Sequence, residues 1–189
     1  MTTAARRSGS MTLEEFLKLP DEKPYREYID ARIEVKVSPR RTHSILEHEL
    51  ISCMNNFARP RRLGRAYGEL RCTFACRSIV PDIVFLRAEN DDYDDQNRQD
   101  DLVRVPPDIH VEILSEGQSA ASTRKKLDHS TAHGTTIGWF IFPKDRMIEV
   151  YRGGELSQTL KIGEVLDAEP VLPGFKLEVE EIFGWLKPS

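Results

Sequence analysis

The sequence has few cysteines, no long apolar run and no surplus of positive charge. Its three cysteines lack a second Cys or His pair at a matching spacing, so neither a structural zinc site nor a disulfide framework is expected. No apolar segment reaches membrane-spanning length, and no secretory signal is recognisable. We therefore expect a cytoplasmic protein that does not interact with membranes.

The net charge of −4 argues against indiscriminate binding of nucleic acids, although it leaves room for a local basic groove. The sequence contains neither a phosphate-binding loop nor a dinucleotide-binding fingerprint. Ser115 lacks the glycine two residues before it that a nucleophile elbow needs, and no cysteine has a local nucleophile signature. These absences direct attention to acidic residues instead.

The 189 residues are 39% hydrophobic, which is enough for one domain with a proper core. We expect a flexible tail over residues 1–10 and a single domain over 11–189. Apolar periodicity predicts a long helix within residues 40–58 and another over about 119–133, with strands and hairpins elsewhere. The acidic residues 89–101 are expected to form a solvated loop. The predicted fold is α/β (α+β), with a mixed central sheet flanked by helices and extra hairpins at the ends.

Two carboxylates occur inside apolar, strand-like runs. Asp82 lies in SIVPDIVFL, where alternation places it on the face of Val84 and Leu86, and Glu112 lies in DIHVEIL. A carboxylate on an apolar face is costly unless it is paired with a cation or bound to a metal. Either residue alone is best explained by a strand end or an arginine partner, but the pair is what Mg²⁺ or Mn²⁺ requires.

Lys126 lies in the predicted helix that follows the Glu112 strand. A helix packed across the sheet can return this lysine to the two carboxylates, where it could orient a water molecule or stabilise charge on a phosphate. A solvated helix lysine is the alternative, and the neighbouring Lys125 is an example of that class.

Two further groups of residues are weaker candidates. His43 and Glu47 stand four residues apart on the first long helix and form either an accessory metal or phosphate shell or a surface pair. A short basic stretch supplies the best candidates for contacts with backbone phosphates, unless it is merely solvated: Arg59, Arg61, Arg62 and Arg65.

Several segments resemble the Uma family of putative restriction endonucleases, a branch of the PD-(D/E)XK nuclease superfamily. In chain order they are MTLEEFLKLP, YREYIDARIE, the helix from His43, VPDIVFLRAE, PPDIHVEILSEG, RKKLDHSTAHGTTIGWFIFP, MIEVYRGG and VLPGFKLEVEEIF. They span almost all of residues 11–184. The combination is specific, although each segment alone is not.

The resemblance implies a restriction-endonuclease-like core, a metal site at Asp82 and Glu112, and a homodimer. The superfamily usually has a lysine two residues after the second acid, but that position here is Leu114. The family moves the lysine to the following helix, which matches Lys126. His43 matches the family's helix histidine.

The chain departs from the family pattern at four positions. Ser122 and Ser130 replace an aspartate and a tyrosine that flank the helix lysine, Ala31 replaces a turn glycine, and Glu116 replaces a proline. We expect these changes to affect the placement of the lysine helix rather than the Asp82, Glu112 and Lys126 triad itself.

The resulting hypothesis is a metal-dependent endonuclease that hydrolyses DNA phosphodiester bonds. Two alternatives remain open at this point. One is a non-catalytic nucleic-acid-binding or regulatory protein that retains the nuclease fold. The other is a nuclease that acts on RNA or on structured nucleic acid.

Overall fold

The computed structural model describes residues 11–91 and 102–187. The described residues form helices α1 to α4 and strands β1 to β12. The helices are Leu13–Phe16, Arg41–Ala58, Ala120–Ala132 and Val179–Gly184, with a 3-10 turn at Arg59–Arg61. The strands are Arg26–Ile29, Arg32–Val35, Gly64–Gly68, Cys72–Phe74, Arg77–Ile79, Ile83–Arg87, Ile109–Ile113, Ile137–Phe142, Met147–Arg152, Glu155–Lys161, Val165–Asp167 and Lys176–Glu178.

A six-stranded sheet in the order β10-β9-β8-β7-β6-β3 forms the centre of the fold. Its pairs are antiparallel except β7–β8, which is parallel and is connected through α3. Helix α2 packs its apolar stripe on one face, while Leu127 of α3 packs on the other. This arrangement confirms the predicted mixed sheet flanked by helices. No helix among the described residues is long and apolar enough to cross a membrane.

A second sheet, in the order β2-β1-β5-β4, contains the N-terminal hairpin β1–β2. The hairpin turns at Asp30 and Ala31, which both adopt the left-handed conformation, with φ of 49° and 60°. The hairpins β9–β10 and β11–β12 belong to the C-terminal part of the chain. The extra hairpins at both ends were therefore predicted correctly.

The run SIVPDIVFL, which we interpreted as one strand, is two strands in two different sheets. Strand β5 ends at Ile79, strand β6 begins at Ile83, and Pro81 and Asp82 lie between them. Proline has no N–H group to donate to a sheet ladder, which favours a break at this point. Asp82 is thus placed at the junction of the two sheets rather than in mid-strand.

Helix α3 begins and ends where capping residues predict. The Ser119 side chain accepts a hydrogen bond from the backbone N–H of Ser122, and Gly134 follows the helix with a φ of 114°. Because α3 connects two parallel strands, its N-terminus lies near the C-terminal end of β7. Glu112 is at that end, so the crossover brings the start of α3 close to the predicted site.

The predicted tail over residues 1–10 lies outside the described residues, as does most of the predicted acidic loop, residues 92–101.

Candidate active site

Asp82 and Glu112 lie opposite each other at one end of the central sheet. The register of β6 against β7 pairs Ile83 with Val111, and its continuation places Asp82 across from Glu112. Directly opposed side chains in antiparallel strands share a face and have Cβ atoms about 5 Å apart. Both carboxylates are almost completely buried, with exposed fractions of 0% and 2%.

Asp82 is held by groups from three elements. Its Oδ2 accepts a hydrogen bond from the backbone N–H of Ile113 at 2.7 Å and lies 2.9 Å from Nε2 of His43. Its Oδ1 lies 2.7 Å from the ammonium of Lys36, which also donates to the carbonyl of Val80 at 2.9 Å. The Lys36 contact does not have hydrogen-bond geometry, so Oδ1 receives no hydrogen bond within the described part of the chain.

Glu112 is held through its Oε1 by His110 and Lys126, both at 2.8 Å. The other ring nitrogen of His110 lies 2.9 Å from Oγ of Ser130, which is fully buried. A carboxylate can only accept, so Nε2 of His110 carries the proton, and in the neutral ring Nδ1 accepts from the Ser130 hydroxyl. Ser130, which replaces the family's tyrosine, thereby positions His110 against Glu112.

Lys126 joins Glu112 to a third buried carboxylate, Glu27 of strand β1. The Lys126 ammonium donates to both oxygens of Glu27 at 3.1 Å. Glu27 in turn accepts from the backbone N–H of Val80 at 2.7 Å. Lys126, on the helix that follows the Glu112 strand, therefore contacts two buried carboxylates, those of Glu112 and Glu27.

The two lysines decide the ionisation of the two acids. Burial pushes the pKa of Asp82 upward, but Lys36 and His43 outweigh it and hold that pKa well below its usual range. Burial likewise opposes ionisation of Glu112, and Lys126 with His110 lowers its pKa. Burial acts to lower the pKa values of both lysines, yet Asp82, Glu112 and Glu27 raise them above normal. Both acids are anionic and both lysines are cationic at neutral pH.

His43 lies in the site rather than in a surface pair, because it is buried and contacts Asp82. Burial opposes its protonation, but the hydrogen bond to Asp82 and the charges of Asp82 and Glu47 raise its pKa. Glu47 is peripheral, since its Oε2 stands 3.6 Å from Nδ1 of His43, which has no hydrogen-bond partner within residues 11–91 and 102–187.

The predicted phosphate-binding arginines lie at the other end of β6. Gly64, beside Arg65, pairs with Arg87, whereas Gly68 pairs with Ile83 next to Asp82. Four strand residues separate the two positions, which corresponds to about 13 Å. Arg61 folds back over the Phe57 ring and donates to the Phe57 carbonyl.

Sequence reasoning missed three residues of this cluster: Glu27, Lys36 and His110. Each is a polar residue in a strand-like pattern, and His110 shares a strand face with Glu112 two residues later. Alternation in RIEVKV also puts Lys36 on a different face from the apolar Ile33 and Val35. That signal was present, although it did not show which partner Lys36 would contact.

The donor set fits a magnesium-like ion better than a zinc-like one. No group of three or more His, Cys, Asp and Glu side chains arranged to hold a metal occurs among the described residues. Mg²⁺ needs only one or two protein carboxylates, because water and phosphate oxygens complete its coordination. Asp82 and Glu112 would supply two such carboxylates, and Oδ1 of Asp82 would become a ligand atom where the Lys36 ammonium, now 2.7 Å away, moves aside.

Comparison with known proteins places the chain in a family. The model of the Uma2 family, described as "Putative restriction endonuclease", matches residues 13–180. The chain belongs to the Uma2 family. This family fold also appears in a crystal structure described as a putative nuclease belonging to DUF820 from Anabaena variabilis. The two chains are 34% identical and superpose with a TM-score of 0.86, over 94% of this chain and 99% of the other.

Among curated proteins, no match to this Uma2 chain was found. The family match and the structural likeness together support a nuclease with a restriction-endonuclease-like fold.

Proposed function

We propose that this Uma2 protein is a metal-dependent endonuclease that hydrolyses phosphodiester bonds in DNA. The observation that carries the proposal is the placement of two buried carboxylates, Asp82 and Glu112, directly opposite each other at one end of the central sheet. Two buried carboxylates placed together need cations beside them; Lys36 and Lys126 lie there, and a divalent ion would add to or replace that charge. Membership of a family of putative restriction endonucleases supports the same chemistry.

Asp82 and Glu112 would hold Mg²⁺ or Mn²⁺. When bound, such an ion polarises the scissile phosphate and lowers the pKa of an attacking water molecule. Lys126, 2.8 Å from Glu112, would place a positive charge beside the phosphate and would orient the nucleophilic water.

The surrounding residues position the two carboxylates. His43 and the Ile113 amide fix one oxygen of Asp82, while His110 and Ser130 fix the orientation of Glu112. Such supporting hydrogen bonds commonly change metal affinity or activity 10- to 100-fold, as an order-of-magnitude guide. His43 thus acts through Asp82, and Glu47, whose Oε2 lies 3.6 Å from Nδ1 of His43, would support His43.

One observation favours a second candidate, a non-catalytic nucleic-acid-binding protein. The Lys36 ammonium already lies 2.7 Å from Oδ1 of Asp82 and neutralises it without a metal. In a catalytic protein the Lys36 ammonium must move away from that oxygen when the ion binds, whereas in a binding protein it would remain there. Metal binding therefore separates the two candidates.

The first test is magnesium-dependent cleavage of DNA and RNA substrates. We expect wild-type protein to cleave DNA only with Mg²⁺ or Mn²⁺, and Asp82→Asn or Glu112→Gln to reduce the rate by on the order of 10²-fold or more. Asp145→Asn changes an exposed acid and serves as the control. Cleavage without divalent metal, or by Asp82→Asn at the wild-type rate, would contradict the assignment. Cleavage of RNA but not of DNA would show that the substrate is RNA.

A further inference from the structure

A groove of about 500 Å³ lies between the β1–β2 hairpin and the N-terminal part of α3. Its lining includes Arg32, Glu34, Arg77, Ser122, Lys125 and Lys126. Because Lys126 forms part of this lining and also contacts Glu112, the groove borders the candidate active site.

The rim of the groove carries positive charge in an acidic protein. Arg32 and Lys125 are exposed, and neither has an ion-pair partner within the described residues. Arg77 is paired with Asp30 at 2.7 Å, so that cation is locally balanced. The exposed Glu34 also lines the groove, so among the described residues two cations and one carboxylate remain without an ion-pair partner at the rim.

The two walls direct these cations toward the same site. On β2, alternation places Arg32 and Glu34 on one face, and the same alternation leads to Lys36 beside Asp82. On α3, Lys125 at the rim immediately precedes Lys126 at the floor. A ligand in contact with both rim cations would lie in the groove that Lys126 lines, beside the residue that contacts Glu112.

The start of α3 adds to this attraction. Helix α3 is 13 residues long, and its N-terminal turn, including Ala121 and Ser122, lines the groove. Backbone N–H groups at a helix N-terminus carry partial positive charge that favours phosphate. The helix end and the rim cations act in the same direction.

A second basic groove, of about 430 Å³, contains Arg59, Arg62 and Arg65 together with Asp91. It includes most of the arginines that the sequence suggested for phosphate binding. It lies beside Gly64, at the end of β6 away from Asp82. Charge alone does not distinguish the two grooves, but only the first contains a residue of the site.

We infer that the nucleic-acid backbone lies in the groove between the hairpin and α3, with Arg32 and Lys125 bound to phosphates that flank the scissile one. The inference rests on the proposed nuclease function, because it takes the Asp82 and Glu112 site as the point of cleavage. The ligand class is a phosphodiester strand, recognised through its charge.

Binding of a fluorescein-labelled DNA duplex, measured by anisotropy in Ca²⁺ over a range of salt concentrations, tests the inference. We expect Arg32→Ala/Lys125→Ala to lower the slope of log affinity against log salt by roughly 2, one for each phosphate that the protein no longer neutralises. Arg59→Ala/Arg62→Ala removes the same charge from the second groove and should leave the slope unchanged. Circular dichroism checks that each variant is folded.

A third variant, Ala121→Glu, places a negative charge in the groove and leaves both rim cations in place. An acidic residue in the first turn favours the helix, so thermal stability should be maintained while DNA affinity falls at least tenfold, a rough expectation for close repulsion. Wild-type slope and affinity in the groove variants, in a protein that binds and cleaves DNA, would overturn the inference and leave the function intact. If the wild type neither binds nor cleaves any nucleic acid, both fail.

Discussion

At the scale of single residues, the candidate active site is a set of buried charges that balance one another. Three carboxylates lie beside two ammonium groups, and all five side chains are buried: Glu27, Asp82, Glu112, Lys36 and Lys126. Removal of one member of a buried ion pair leaves an uncompensated charge, which is strongly destabilising. The cluster is therefore both the candidate catalytic apparatus and a sensitive point of the fold.

Replacement of Lys36 tests how this lysine relates to a metal. We expect Lys36→Met to lower the free energy of unfolding in EDTA by roughly 3–5 kcal/mol, because Asp82 loses its cation. Saturating Mg²⁺ should then raise the melting temperature of Lys36→Met more than that of the wild type, since the ion no longer competes with an ammonium.

Lys144→Met is the matched control for this prediction. Lys144 is exposed and pairs with the exposed Glu116, so its loss should change neither stability nor the response to Mg²⁺ appreciably. If Mg²⁺ stabilises Lys36→Met no more than wild type, the metal does not use the oxygen that Lys36 occupies.

Sequence patterns predicted some members of the cluster and missed others for a physical reason. Asp82 and Glu112 were detectable because an acid inside an apolar run is costly, whatever its partner. The contact between Lys126 and Glu27 spans 99 residues of sequence and depends on how the hairpin packs against α3. No local pattern specifies such a contact, so Glu27 required the structure.

At the scale of elements, the turn of the β1–β2 hairpin is a locally unfavourable feature. Ala31 has a φ of 60°, where a side chain costs about 1 kcal/mol or more and glycine costs little. The resemblance predicted that glycine is usual at this position, and the observed conformation explains why. The hairpin carries Glu27 and forms one wall of the groove, so this strain is next to the site.

The change Ala31→Gly should raise the free energy of unfolding by roughly 1 kcal/mol, because glycine adopts the left-handed conformation without a Cβ clash. Urea denaturation should show a higher midpoint with an unchanged slope. Ala121→Gly, in helix α3, is the control and should lower stability by up to about 1 kcal/mol. A lower midpoint for Ala31→Gly would contradict the turn geometry.

Helix boundaries were predicted from the sequence more accurately than strand boundaries were. Ser119 and Gly134 cap α3 through local hydrogen bonding and backbone conformation, which sequence encodes directly. The run around Pro81 looked like one strand because apolar periodicity does not record which sheet a strand joins. That choice is made by partners distant in sequence: β6 pairs with β3 and β7, while β5 pairs with β1 and β4.

At the scale of the whole molecule, charge distribution matters more than net charge. A protein with a net charge of −4 can still bind a phosphate backbone where unpaired cations line a groove. Composition alone suggested that such a groove was allowed but did not locate it. The arginine-rich stretch was the obvious candidate for phosphate binding in the sequence, and in the folded protein that stretch lies at the end of β6 away from Asp82.

The assembly of the protein in solution is a further expectation. The family resemblance implies a homodimer, which would provide two active sites for cleavage of two strands, and a twofold dimer is the commonest closed assembly. Sedimentation equilibrium of the full chain should give about twice the 21.7 kDa mass of one chain. A mass that remains that of one chain at the highest concentrations would refute the homodimer.

The central claim is that Asp82, Glu112 and Lys126 form a nuclease site whose lysine comes from helix α3. Its most direct test is the single-turnover rate of Mg²⁺-dependent DNA cleavage, with saturating enzyme, for wild type, Lys126→Ala and Lys125→Ala. We predict that Lys126→Ala loses cleavage by on the order of 10²-fold or more. Lys125→Ala should cleave at nearly the wild-type rate once bound, although its binding is weaker. Cleavage by folded Lys126→Ala at the wild-type rate, or equal loss in both variants, would contradict this account.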